Sequence, residues 1–178
     1  MEVAPGIHRI EAPLGDRFVC VYLLVGEEAV LVVDSGIDST PRDYIAPYLA
    51  KIGVEPGRIR YVLTSHADYD HVAGNRSLAE LAPQAVLIFH TLDPVLGEDF
   101  ERIIRERYEE LGPEHGFYER EEGKAAMRAT SRTLPVDVAL SGGEEIRLGA
   151  DWRVAVWHTP GHNRGDETGH DPRSHRLI

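Results

Sequence analysis

Four side chains able to hold a metal ion fall within six residues: His66, Asp68, Asp70 and His71, in the run Thr64-Ser65-His66-Ala67-Asp68-Tyr69-Asp70-His71. Imidazole and carboxylate at this spacing are the donors that a borderline cation requires. In extended or turning backbone, alternate side chains leave on one face, so His66, Asp68 and Asp70 can converge while His71 turns to a neighbouring point. That geometry suits one ion or two. Taken singly, each histidine reads as a surface residue and each aspartate as a loop cap; the density of the four selects the metal reading.

A distant partner is available in His158-Thr159-Pro160-Gly161-His162, where proline and glycine force a tight turn and leave His162 pointing away from the preceding strand. A third polar stretch, Asp34-Ser35-Gly36, follows the apolar run Ala29-Val30-Leu31-Val32-Val33. Strand ends of this kind are where covered α/β sheets place their sites, so Asp34 either holds the turn or acts in the site directly.

The elements that position these stretches follow from periodicity. Gly6 to Glu11, Val19 to Val25 and Ala29 to Val33 read as strands, the last fully apolar and suited to a covered sheet. Ser39 or Thr40 can cap a helix from Pro41 to Ile52, kinked at Pro47. The strand Ile59 to Leu63 delivers the His/Asp cluster, with a helix over Asn75 to Leu81 and a strand over Ala85 to Phe89 behind it. From about 91 to 133 the pattern becomes charged helix, with Phe100, Ile103, Ile104, Tyr108 and Leu111 at helical spacing. This insertion reads either as a cover for a sheet edge or as a lid whose Phe117, Tyr118 and Met127 shape a substrate pocket. Strands resume at Val136 to Leu140, Glu145 to Leu148 and Trp152 to Trp157.

The chain of 178 residues, 42% hydrophobic, has enough apolar material for one domain core. Its formal charge of -11 disfavours a nucleic-acid partner, because a phosphate backbone would be repelled. Cys20 is the only cysteine and lies in an apolar run, so no intrachain disulfide forms and a small packed hydrophobe is the reading there. Residues 1 to 13 carry no uninterrupted apolar segment, so the expectation is a cytoplasmic protein with no membrane span and no signal peptide.

Together the motifs resemble the metallo-β-lactamase fold superfamily, whose metal loop is usually His-x-His-x-Asp-His, answered by a histidine in a Thr-Pro-Gly-His turn. Asp34-Ser35-Gly36 resembles its first motif, Ser65 to His71 its second and Thr159 to His162 its third. The resemblance implies an α/β (α+β) protein, an αββα sandwich of two mixed sheets with the metal site along one edge. It implies a divalent metal, one or two ions of zinc, iron or manganese, and a small-molecule substrate. Among the family's activities are those of glyoxalase II-like thioesterases, lactonases, lactamases and flavodiiron proteins.

Two departures stand out. Asp68 occupies the place of the usual second histidine, as glutamate does in the flavodiiron variant. A carboxylate there lowers the charge of the site by one unit and favours harder ions such as iron or manganese. Asp171 to Ser174 resembles the hairpin turn that precedes the family's bridging aspartate and last histidine, and neither of those has a counterpart before Ile178. The expectation is therefore a sandwich incomplete at its C-terminus, with homo-oligomers as one way to cover its edges. Asp166, Glu167, His170 and His175 are weak substitutes that read as solvent-facing hairpin residues.

The set His66, Asp68 and His162 then forms a first metal site, with Asp70 and His71 as half of a second. The implied activity is hydrolysis of an ester, thioester or lactone through a metal-activated water, with Asp70 holding a second ion or accepting a proton. The alternatives are iron-based oxygen chemistry on the same ligands and a relic without turnover.

Overall fold

The structure, a computed structural model, describes residues 1–110, 112–115 and 119–178. Leu111, expected at helical spacing in the insertion, and Phe117 and Tyr118, expected to shape a pocket if the insertion is a lid, lie outside the described residues.

A seven-stranded sheet runs in chain order: β1 (Glu2–Ala4), β2 (Ile7–Leu14), β3 (Arg17–Val25), β4 (Val30–Val33), β5 (Ile59–Leu63), β6 (Val86–His90) and β7 (Val138–Leu140). The first four pair antiparallel and β4 through β7 pair parallel, each parallel step being crossed by helix. A four-stranded sheet has the order β11 (Arg176–Leu177), β10 (Glu167–Asp171), β9 (Arg153–His158) and β8 (Glu145–Arg147). All its pairings are antiparallel, so the smaller sheet is not the mixed one that the family resemblance implied.

Strand β4 shows why its sequence is apolar at every position. Val30 and Val32 join the core beneath the helices, with Ile45, Leu49, Leu78 and Ile103, while Leu31 and Val33 join a second core with Val154, Val156 and Trp152 of the smaller sheet. A strand covered on both faces has no side for polar residues, which is the sandwich expressed in four side chains.

Helical segments fill the connections: α1 (Ala46–Lys51), α2 (Tyr69–Val72), α3 (Asn75–Leu81), α4 (Pro94–Glu98), α5 (Phe100–Ile103) and α6 (Glu121–Thr130). The kink expected at Pro47 takes the form of a wide π-helical turn over Pro41–Ile45 that hands over to α1, placing Pro47 in the first turn of the new helix. A proline has no N–H to give there and loses nothing. Helices α4 to α6 lie between β6 and β7, and Ile103 and Ile104 are buried as the helical spacing expected.

Sheet register brings the polar stretches together. Val33 pairs with Leu63, and the Asp34 N–H donates to the Leu63 carbonyl at 2.9 Å, so the residues following β4 and β5 emerge side by side. In the other sheet His158 pairs with Glu167, and the turn between β9 and β10 carries His162 toward the same edge.

Candidate metal centre

The expected alternation holds for two residues and then stops. Asp68 is extended, with φ -76° and ψ 151°, and caps the one-turn helix α2, so His66 and Asp68 share a face whereas Asp70 and His71 lie on helical backbone. The coiling at Tyr69 carries Asp70 out of the converging row.

His66, Asp68 and His162 do converge: one donor atom from each lies within 4.8 Å of the other two. The Asp68 Oδ2 atom is 3.6 Å from His66 Nε2 and 2.8 Å from His162 Nε2. The His66 ring lies 3.9 Å from that of His71 and 5.0 Å from that of His162.

Asp34 holds the base of the site. It has φ 64°, a left-handed conformation that short polar residues tolerate best. Its carboxylate accepts from the Ser65 N–H at 2.8 Å, the Ser65 hydroxyl at 2.7 Å and His71 Nδ1 at 2.7 Å. Asp34 thus contacts the loop at Ser65 and His71 and is not one of the three converging donors. Ser65 Oγ is also 2.9 Å from His66 Nδ1. A hydroxyl has one proton, and here the carboxylate takes it, so His66 must donate from Nδ1 and keep its lone pair on Nε2, facing the cluster. Such outer partners set the tautomer that a metal ligand needs.

Replacing Asp34 by Ala should therefore lower stability by about 2 kcal/mol, read as a drop in the urea midpoint, through three lost bonds and a strained backbone. Asp34→Asn keeps the backbone tolerance and one acceptor, and should cost less than the alanine; equal losses would show that the left-handed turn contributes nothing.

Charge is distributed unevenly. Burial, and then the neighbouring His71, lower the pKa of His66, which keeps it neutral. Burial works in the same direction on His71, but the Asp34 carboxylate outweighs it and pushes that imidazole up to about 9. His71 is thus an imidazolium at neutral pH, with Asp70 Oδ2 3.7 Å from its Nε2. Burial opposes ionisation of Asp68, yet its bonds to Arg107 hold the carboxyl at about 2.

Arg107, in the π-helical turn Ile104–Tyr108 that continues α5, donates from Nε to Asp68 Oδ1 at 2.6 Å. Asn163 Nδ2 reaches the same oxygen at 3.4 Å, and Asp166 Oδ2 accepts from the His162 and Asn163 N–H groups at 2.8 Å each, fixing the turn. Tyr69 faces the insertion: its N–H donates to the Tyr108 hydroxyl at 3.0 Å and its hydroxyl is 2.8 Å from Thr130 Oγ1. A cleft of about 760 Å³ opens beside His162, and its lining mixes Leu92, Val95 and Leu96 with the bases Arg102, Arg107 and Arg164 and the acids Asp93, Glu106 and Glu110.

Arg107 and Asn163 carried no signal in the sequence, the first being one arginine among many charged residues of the insertion. The weak substitutes lie outside the described three-donor group. Glu167 departs furthest from its reading, being buried rather than solvent-facing, while the His170 ring stacks on Trp157 at 4.5 Å.

A family model described as the metallo-beta-lactamase superfamily matches residues 14–175. The chain belongs to the metallo-β-lactamase superfamily. Solved metallo-β-lactamase structures share its fold: a HARLDQ-motif mutant from Cronobacter sakazakii at TM-score 0.71 and 21% identity, covering 99% of this chain and 61% of that one. A metallo-β-lactamase family protein from Thermus thermophilus gives 0.72 and 24%, covering 95% and 56%. The class B3 di-zinc enzyme LRA-12 from an Alaskan soil metagenome gives 0.71 and 18%, covering 96% and 55%. The chain thus spans little more than half the length of these metallo-β-lactamase structures. No curated protein matches it. No helix among the described residues is long and apolar enough to cross a membrane.

Proposed function

We propose that the protein is a metal-dependent hydrolase acting on a small-molecule ester, thioester or lactone at a single ion held by His66, Asp68 and His162. The observation that carries this reading is the convergence of those three donor atoms at the sheet edge of a metallo-β-lactamase fold. Two histidines and one carboxylate form a recurrent catalytic zinc set and also suit iron or manganese. When bound, such an ion supplies Lewis acidity, polarising a carbonyl and acidifying a water.

The chain's own residues perform the rest. Ser65 and Asp34 keep the His66 lone pair on Nε2. Arg107 and Asn163 grip one oxygen of Asp68 and leave the other facing the histidines. Asp70, whose carboxylate lies beside His71 and outside the three-donor group, is the residue we assign to accept a proton from an attacking water. The cleft beside His162 offers apolar side chains (Leu92, Val95, Leu96) for a substrate body among charged residues of both signs.

Elemental analysis of protein purified without added metal should find about one zinc, iron or manganese per chain, and the loaded protein should hydrolyse at least one member of an ester, thioester and lactone panel. Protein that retains no ion and turns over none of the panel after loading with each metal would overturn the reading.

A further inference from the structure

The aspartate at the centre of the cluster does not stand alone, and its partner comes from outside the metal loop. Arg107 lies 39 residues away, on the helical segment between β6 and β7, and its guanidinium reaches Asp68 with a division of labour between the two oxygens. The Oδ1 atom receives the short bond from Nε at 2.6 Å, while Oδ2 faces His66 Nε2 and His162 Nε2 and has only a long 3.4 Å contact from the same arginine. A second 3.4 Å contact ties Arg107 to the His162 carbonyl, so one side chain grips two of the three donor residues. The side chains of Arg107 and Asp68 are 19% and 15% exposed, so water screens neither well.

We propose that Arg107 is a positioning residue that cancels the charge of Asp68, so that the aspartate–arginine pair presents the cluster with one oxygen donor and no net charge. This rests on the proposal that His66, Asp68 and His162 hold a divalent ion. An imidazole ligand is neutral and a carboxylate is not; a guanidinium, which cannot deprotonate, restores neutrality at every accessible pH. The carboxylate oxygen turned away from the histidines is the one the arginine takes, which is how an outer partner orients a monodentate ligand. The preference for iron or manganese argued from the negative charge of Asp68 therefore loses its electrostatic basis, and only the hardness of the oxygen donor remains. Selectivity depends on a residue of the insertion.

The pair also opposes the ion in a measurable way. Removing a positive charge this close to a divalent cation strengthens binding, provided the carboxylate keeps its orientation. Arg107→Gln keeps an N–H donor for Oδ1 without the charge, and should bind zinc roughly tenfold more tightly than the native chain in competition with a chromophoric chelator. Arg107→Lys keeps the charge and should bind within about twofold of native. Asp68→His leaves the guanidinium without its counter-charge and should weaken zinc roughly tenfold or more, whereas Asp68→His combined with Arg107→Gln should return to within a few-fold of native. Urea unfolding of each variant confirms that the comparison is between folded proteins.

The inference is overturned if Arg107→Gln and Arg107→Lys bind zinc equally, or if Asp68→His has the same effect whichever residue occupies position 107. Native protein that binds zinc while the variants show no coupling would sink this inference and leave the proposed function standing. Zinc bound by Arg107→Gln while the native chain binds none of zinc, iron and manganese would support the charge role and defeat the proposed function. Zinc, iron and manganese all bound by neither, nor by the double variant, would defeat both.

Discussion

His66→Ala is expected to lower zinc affinity by at least about a hundredfold, measured by chelator competition, and to abolish any ester, thioester or lactone hydrolysis. Structural zinc sites bind with about 10 to 16 kcal/mol over four ligands, so each ligand is worth roughly 3 kcal/mol, or a factor of about a hundred. His66 stands above that average, because Ser65 fixes its tautomer and burial keeps its ring neutral, so no proton must leave before it can bind. His162→Ala removes an equivalent donor and should cost about as much affinity. The two variants separate in stability. The His66 side chain is 15% exposed within the Asp34–Ser65 network, whereas that of His162 is 63% exposed on a turn whose bonds to Asp166 run through backbone N–H groups. Loss of His66 should lower the urea midpoint, and loss of His162 should leave it nearly unchanged. Zinc affinity retained in both variants would dismiss the three-donor assignment.

The parts of the site legible in the sequence are those produced by local rules. The apolar run Ala29 to Val33 announces a covered strand and the run Ile59 to Leu63 a second strand, and each gives way to a polar stretch, so the positions of Asp34 and His66 at strand ends follow from patterning alone. Thr-Pro-Gly-His does the same for His162, since proline and glycine admit few backbone paths. Alternation also places His66 and Asp68 on one face, but it misplaces Asp70, because nothing in the run His66 to His71 states where extended backbone turns into helix. What stays hidden is long-range pairing. Arg107 is one of many arginines in a segment whose periodicity reports only which side packs on the sheet, and its bond to Asp68 depends on how that segment docks. The antiparallel character of the smaller sheet is hidden for the same reason, since β8 to β11 are short and pair according to turns between them.

Glu167 is the clearest failure of local reading, and it carries the largest stability prediction. In sequence it belongs to a polar hairpin; in the structure it opens β10, is 3% exposed, and neither carboxyl oxygen has a hydrogen-bond partner among the described residues. Its backbone explains the placement: the Glu167 N–H donates to the Ser65 carbonyl at 2.7 Å, tying β10 to the metal loop and turning the side chain inward. Burial first, and then the nearby Glu144 and Asp93 carboxylates, raise its pKa from 4.5 to about 8. A folded-state pKa above the unfolded value means that the native state binds the proton more tightly. The carboxyl is therefore harmless below about pH 4.5, destabilises progressively as pH rises to about 8, and adds nothing further beyond it. Glu167→Gln, neutral and of the same shape, should match the native chain near the acid end and exceed it by roughly 4 kcal/mol above the folded-state pKa. Urea unfolding of both proteins across that range gives the test as a difference, which removes the titration of every other group. A gap that widens with pH and levels off near 8 identifies the buried carboxylate, whereas parallel curves would place its charge in water or beside a cation.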